Sequence, residues 1–443
     1  MKSKILTLLM LLVPALLFAE EAPKLDTGDT AWMMVSTAFV LLMTPAGLAL
    51  FYSGMTRSKH SLNTYTMVVG AFVLALIVWV VAGYSLAFST NPNPTLQKFI
   101  GGFSSVLLSD IKWNDLSGTY PTLVFVAFQG TFAAITVAIA AGSVIERIKF
   151  STWVVIVVLW GLIVYAPIAH MVWGGEGAYL FDEGALDFAG GTVVHMNGGL
   201  AGLVLAILVG KRTNYPRIAI KPMSVMLTAL GAAILWFGWY GFNAGSAFGA
   251  NSVAGLALMT TTIATAAAGA TWMFVEWAVY KKPTLLGIAS GIVAGLVAIT
   301  PAAGFVGVGG AIVIGVIGSL IAFFGVVVLK KMLKYDDSLD AFGIHFLAGL
   351  WGALATPFFA ILDKEVLWDG PLKASLEAGK SPDIIGQFIV QLESVALVGL
   401  WTLIGTTIVY FVASLITGGA RVDKESEEIG LDESIHGERS FYL

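Results

Sequence analysis

Cysteine is absent from the 443 residues, which excludes disulfides, thiolate metal sites and cysteine nucleophiles. Charge is scarce as well: 12% of the residues are Asp, Glu, Lys or Arg, against about a quarter in a water-soluble domain. An ordinary soluble enzyme is excluded on that ground. The 24 basic and 28 acidic side chains leave a formal charge of −4 and form no long basic block, so the balance offers no footprint for nucleic acid. What fills the chain is apolar. The AVILMFWYC set supplies 57% of it and mean hydropathy is +0.86, which excludes disorder. Glycine, with 50 residues, reads in such a chain as close packing of membrane helices.

Residues 1–19 carry Lys2 and Lys4, an apolar run from Ile5 and a small-residue end at Ala19 before Glu20 and Glu21. That run falls short of the ~20 residues that cross a bilayer, so it reads as a cleaved secretory signal, the alternative being a short retained span. Eleven apolar stretches follow, at 30–53, 62–87, 121–143, 151–172, 187–210, 222–248, 252–279, 283–302, 304–328, 338–361 and 384–417. Each is long enough for a helix that satisfies its own backbone in lipid.

The basic residues test the count. Alternate loops carry Arg57, Lys59, Arg147, Lys149, Lys211, Arg212, Arg217, Lys221, Lys281, Lys282, Lys330, Lys331 and Lys334, whereas the other set holds Lys24, Lys98, Lys112, Lys364, Lys373 and Lys380. The positive-inside rule makes the first set cytoplasmic. The mature N-terminus is then outside, and the tail, 418–443, inside. No Lys or Arg falls within a stretch, which argues against voltage sensing and against a fixed cation in a pathway. Two runs of five spans, 30–210 and 222–361, have the shape of an inverted repeat, because an odd repeat length reverses orientation. The eleventh stretch would make a helix of about 50 Å and should lie tilted across the others.

Few ionisable residues sit in these stretches: Asp187, His195, Glu276, Asp340, His345 and Glu393, with His170 near a span end. Each is a functional candidate, since charge at membrane depth is costly. His195 follows Asp187 by eight residues, about 12 Å into span five and close to mid-membrane. His345 follows Asp340 by five, about 7–8 Å into span ten, so the two meet only if Asp340 is itself submerged. Two histidines without carboxylate or thiolate support make a poor metal site, and a bis-His haem would suit electron transfer instead. A blander reading has each ring bridging helices by hydrogen bonds. Phe128 and Phe132 share a face of span three, Trp239, Tyr240 and Phe242 precede Ser246 on span six, and Trp173 follows span four. Singly, each ring suits an interface belt; converging outside, they could hold a small cation by ring faces and a hydroxyl.

The segments PAGLALFYSG at Pro45–Gly54, AHMVWGG from Ala169, DFAGGTVVH from Asp187 with Gly198 and Gly199, GFNAGS ending at Ser246 and DAFGIH from Asp340 together resemble the ammonium transporter family, over almost the whole mature chain. The resemblance implies an all-α polytopic membrane protein of eleven transmembrane helices. Inverted five-helix halves enclose a pore in each subunit of a homotrimer, and the eleventh helix crosses them. It implies an outer ammonium recruitment site at Phe128, Phe132, Trp173 and Ser246, a phenyl gate at Phe132 and Phe242, and a pore twin-His pair at His195 and His345. Asp187 matches an acidic residue that shapes the outer site, structurally or as a proton relay. No cofactor is implied. The tail, with Glu425, Glu427, Glu428, Gly430, Asp432 and His436, reads by composition as disordered and acidic but resembles the cytoplasmic segment that couples subunits and meets PII signal proteins. Glu276 and Glu393 match nothing in the pattern, and a packing hydrogen bond is expected of each. The function implied is transport of ammonium, with ammonia crossing between the histidines. An ammonium sensor working through the tail and a gas channel of the related Rhesus kind are the alternatives.

Overall fold

The computed structural model describes residues 24–217, 221–360 and 384–440. The proposed signal at 1–19 lies outside them, as do Lys364, Lys373 and Lys380. Among the described residues, ten helices are long and apolar enough to span a membrane: α1 (Thr27–Met55), α2 (Ser58–Phe88), α3 (Thr122–Val144), α4 (Phe150–Trp173), α5 (Gly191–Val209), α6 (Val225–Ala247), α7 (Ser252–Tyr280), α9 (Val308–Leu333), α10 (Phe342–Phe359) and α11 (Ile384–Ile416). The stretch expected at 283–302 departs from the count. It forms α8, Leu285–Ile299, about 22 Å long. Pro301 lacks the N–H to continue the helix, and residues 300–305 turn instead, with the Pro301 carbonyl accepting from Phe188 N at 3.1 Å. The only ladder among the described residues is the short pairing of Leu116–Ser117 with Tyr120–Pro121.

Helices α3 and α5 form the centre. Every residue of α3 from Phe128 to Val144 is buried, so neither an apolar nor a polar face can be drawn on it. A Cβ at Gly198 of α5 would stand 2.7 Å from the Thr136 carbonyl of α3, and one at Gly199 2.5 Å from the Phe346 nitrogen of α10. Glycine is required there because backbones approach where side chains would stand. Outer helices show the complementary pattern: Leu41, Leu42, Ile77, Leu320, Phe324, Leu400, Ile408 and Leu415 point outward, as lipid contact requires.

Helix α11 spans thirty-three residues. Its buried positions, among them Gln387, Gln391, Ser394, Val398, Thr402, Thr406, Val409 and Ala413, recur every three or four residues, the stripe of a helix with one packed face. That stripe lies on α4, α5 and α10. Gln391 bridges Leu186 and Ala353, Thr402 donates to Asn197 Oδ1 at 2.8 Å, and Trp160 Nε1 donates to Thr406 Oγ1 at 2.9 Å.

The turns at one end of the bundle are tied by charge. Glu146, fully buried, accepts from Thr56 Oγ1 (2.7 Å), Arg57 Nη2 (2.7 Å) and Arg212 Nη1 (3.2 Å), and Arg212 also pairs with Asp336. Burial alone would raise the Glu146 carboxyl, but Arg212 and the other cations hold it down at about 2. Arg147, which burial pulls down to about 10, donates to the Gly210 and Asp336 carbonyls and to Ser338 Oγ. Helix ends run past the apolar stretches, so α2 includes Lys59 and α9 includes Lys330 and Lys331; long stems let such charges reach the interface.

The tail is ordered, contrary to what its composition suggests. It pairs with the α3–α4 turn through Lys149 N to Ala420 O and Val422 N to Arg147 O, then forms α12 (Lys424–Ile429) and α13 (Leu431–His436). Its acids find partners: Glu427 accepts from Arg421 and from Thr213 N, and Asp432 caps α2 by accepting from Leu62 N and Asn63 N at 3.1 and 2.7 Å.

Candidate functional site

The site is built on the entry turn of α5. Asp187 accepts from the nitrogens of Gly190 (3.0 Å), Gly191 (2.5 Å), Thr192 (2.9 Å) and Val193 (3.0 Å) and from Thr192 Oγ1 (2.5 Å). A buried carboxylate thus satisfies the orphan donors of a helix start and sits at its positive end. Gly190 turns the chain at φ 106°, a conformation open to glycine. The first turns of α5, Gly191–Met196, are π-helical, and His195 lies on them.

Helix α10 repeats the device. Its first turns, Phe342–Leu347, are π-helical and carry His345, and Phe342 N donates to Asp337 Oδ2 at 2.8 Å. The counterpart of Asp187 is therefore Asp337, eight residues before its histidine, and not Asp340, as the sequence pairing had it. Asp340 instead pairs with Lys330 at 2.6 Å. Depth follows from the same correction. The segment before α10 is already submerged, with Asp337 and Leu339 buried and Leu339 N donating to Gly142 O of α3. His345 consequently reaches His195: their Nδ1 atoms are 3.3 Å apart and their rings stack with centroids at 5.4 Å. An eight-residue Asp-to-His spacing in both halves was the signal that could have found Asp337.

Above the pair stand aromatic rings. Phe242, also on a π-helical turn, stacks on Phe132 at 4.2 Å and lies 5.6 Å from His195. Phe132 contacts Phe128 at 4.8 Å and Trp173 edge-on at 6.2 Å. Trp173 donates to the Asp187 carbonyl at 2.9 Å, and Ser246 donates to the Phe242 carbonyl at 2.8 Å. Four of the five, Trp173 excepted, are buried. Trp239, read from sequence as belt or packing, stacks on His195 at 5.0 Å and is held by Thr300 Oγ1 at 2.9 Å. Thr300 follows α8 directly, so that helix's short length places the hydroxyl under Trp239.

The other ionisable candidates lie elsewhere. Glu276 accepts from Thr284 N and Oγ1 at the start of α8 and from Trp272 Nε1, and Glu393 accepts from the Tyr179 hydroxyl. Among the described residues no three His, Cys, Asp or Glu side chains gather to hold a metal ion.

Geometrically, the histidine pair has a fixed logic. With Nδ1 facing Nδ1, one nitrogen donates and the other accepts, so both rings cannot be cationic at once. The His195 Nε2 is buried without a hydrogen-bond partner. The ring that donates at Nδ1 presents a bare Nε2, and its neighbour presents an Nε2–H, if both are neutral.

A multi-pass helical membrane protein with relatives among transporters rather than enzymes is the class that fold and comparisons define. The model of the Ammonium Transporter Family matches residues 31–441. An ammonium transporter of Aquifex aeolicus is 47% identical over 96% of both chains, and one of Bacillus subtilis 42% identical over 94% of this chain and 99% of its own. The crystal structure of Saccharomyces cerevisiae Mep2 superposes with a TM-score of 0.81 at 34% identity, covering 91% of this chain and 89% of that one. A structure titled Sensor Amt Protein matches with a TM-score of 0.82 at 26% identity, over 92% and 98%. The chain belongs to the ammonium transporter family.

Proposed function

We propose that the chain recruits ammonium at Phe128, Phe132, Trp173 and Ser246, deprotonates it near the Phe132–Phe242 gate and conducts ammonia past His195 and His345. The contact of the two imidazoles directly beneath the phenyl stack carries this reading. Ammonium and potassium share charge and approximate size, so a wet hole would not separate them. A bare ion entering low dielectric faces a penalty of many kcal/mol unless partners replace its water. Ring faces at the recruitment site return about 0.5–2 kcal/mol each, which is too little to carry a cation further. Ammonium can shed a proton; potassium cannot.

Past the gate, ammonia still needs hydrogen-bond partners. A bare Nε2 and an Nε2–H from neighbouring neutral rings match a molecule that both donates and accepts. The Phe132 and Phe242 rings, stacked at 4.2 Å, must swing apart for passage. Asp187 acts as the cap that holds His195 in register. The inverted halves, 30–210 and 222–361, are supported by the twin Asp-to-His devices that begin α5 and α10. The subunit works as a homotrimer in a cell membrane, the inner one of a bacterium. Its signal is cleaved, its N-terminus lies outside, and a tail at the cytoplasmic face meets a PII-type signal protein.

The test is current recording on a solid-supported membrane with ammonium, methylammonium and potassium pulses. Wild type gives signals for the first two only. H195A loses current or admits potassium; a variant that matched wild type in both respects would refute the role. A second reading, a sensor that signals through the tail, is favoured by the docking of the tail on the α3–α4 turn, on Thr213 and on the start of α2 and by the neighbour titled Sensor Amt Protein. Deleting 418–443 separates the two: regulation lost with flux kept supports a transporter, and no flux in the full chain supports a sensor.

A further inference from the structure

His170 lies in the last turn of α4, three residues before Trp173, and is fully buried. Its Nδ1 is 2.8 Å from the carbonyl oxygen of Ala87, and its Nε2 is 2.6 Å from that of Gln97. Carbonyl oxygens only accept. A neutral imidazole has one N–H and one bare lone pair, so it would satisfy one contact and set lone pair against lone pair in the other. Both contacts are attractive only when both nitrogens carry hydrogen.

The surroundings suit a positive ring. Ala87 is in the last turn of α2, where unsatisfied carbonyls collect partial negative charge and favour a histidine cation. The Asn91 N–H, which would reach back to the Ala87 carbonyl if α2 continued, is taken by Gln97 Oε1 at 2.6 Å. Gln97 Nε2 in turn donates to Glu176 O at 3.3 Å, and Tyr179 N to Lys98 O at 2.9 Å. The chain on both sides of Trp173 is thus fastened to the 91–100 segment, and the His170 side chain joins that segment, α2 and α4. Its hydrogen-bond partners are both uncharged; the nearby Lys98, Glu176 and Asp187 meet this network through backbone atoms.

We propose that His170 is a buried imidazolium that serves as a positioning residue, clamping the end of α4 so that Trp173 is held edge-on to Phe132. The functional half of this rests on Trp173 belonging to the recruitment site. The structural half does not.

The test uses the full-length protein in lipid bilayers, labelled with 15N-histidine and 13C-carbonyl alanine. Solid-state NMR at pH 7 selects the ring whose Nδ1 couples to the Ala87 carbonyl carbon. Both of its nitrogens should give protonated-nitrogen shifts, and an unprotonated one overturns the proposal. H170Q keeps a single amide donor and loses one of the two bonds. Its ammonium KM should rise about three- to tenfold, the worth of one buried hydrogen bond, with maximal current within about twofold, since conduction does not pass His170. If H170Q fails to fold, the wild-type spectrum still decides. W173L separates the readings: a raised KM in W173L but not in H170Q overturns the positioning role, whereas an unchanged KM in W173L overturns the recruitment site and leaves His170 to be judged by its spectrum.

Discussion

Asp187→Asn changes one atom and should undo the site. In the native protein Oδ1 accepts from Gly190 N and Gly191 N, while Oδ2 accepts from Thr192 N, Thr192 Oγ1 and Val193 N. An asparagine retains one accepting oxygen and sets an NH2 against donors on the other side. The less damaging orientation keeps the three Oδ2 bonds and loses the two at Oδ1. Hydrogen bonds to a charged group contribute about 1.5–3 kcal/mol each, so the loss is about 3–5 kcal/mol after partial relaxation, and the charge–dipole attraction at the helix start is lost with it. Against a total stability of about 5–15 kcal/mol, the cheapest response is local: the first turns of α5 fray and His195 leaves its contact with His345. Ammonium current should therefore fall at least tenfold while D187E, which keeps the charge, retains part of it. Solid-supported membrane currents and thermal unfolding in detergent measure the two effects. An Asp187→Asn protein with native current and an unchanged melting temperature would show that the cap does not hold the site.

Glu146 predicts a pH dependence. Its carboxyl stands at about 2 in the folded protein against an ordinary 4.5, so the stabilisation, about 3 kcal/mol by linkage, is fully present above pH 4.5 and is lost as pH falls towards 2. E146Q should melt well below wild type at pH 7, because Arg57 and Arg212 lose a buried partner, and the gap should close on acidification through that window; a gap that persists at pH 2 would show another origin. G199A forces a methyl to 2.5 Å from the Phe346 nitrogen, costing about 1–3 kcal/mol and moving α10 away from α5. Reduced ammonium current together with a lower melting temperature is expected, and native values of both would contradict the close approach.

Much of the architecture was legible in the chain because lipid imposes one strong rule: a segment without charge and of sufficient length satisfies its backbone as a helix. That rule located ten spanning helices to within a few residues, and the motifs around Asp187, Trp173 and Ser246 pointed to the family. The stretch at 283–302 is placed as closely, at Leu285–Ile299, but apolar composition does not register that the turn at Pro301 leaves that helix shorter than the other ten. The same rule does not tell which aspartate matches Asp187 in the second half, because Asp337 and Leu339 are submerged by packing before α10 begins, with Leu339 N donating to Gly142 O of α3, and position along a helix does not register that.

Composition and hydropathy, local quantities summed along the chain, determined that this is a helical membrane protein and roughly where each helix runs. Which side chains meet was decided only by the tertiary structure. His195 and His345, 150 residues apart, touch because Gly199 lets α5 lie against α10, each ring standing on the π-helical first turns of its helix. Trp239 stacks on His195 because Thr300 holds it from the end of a shortened α8. Such contacts depend on where backbones can approach and which buried donors need acceptors, and no periodicity within a single helix encodes either.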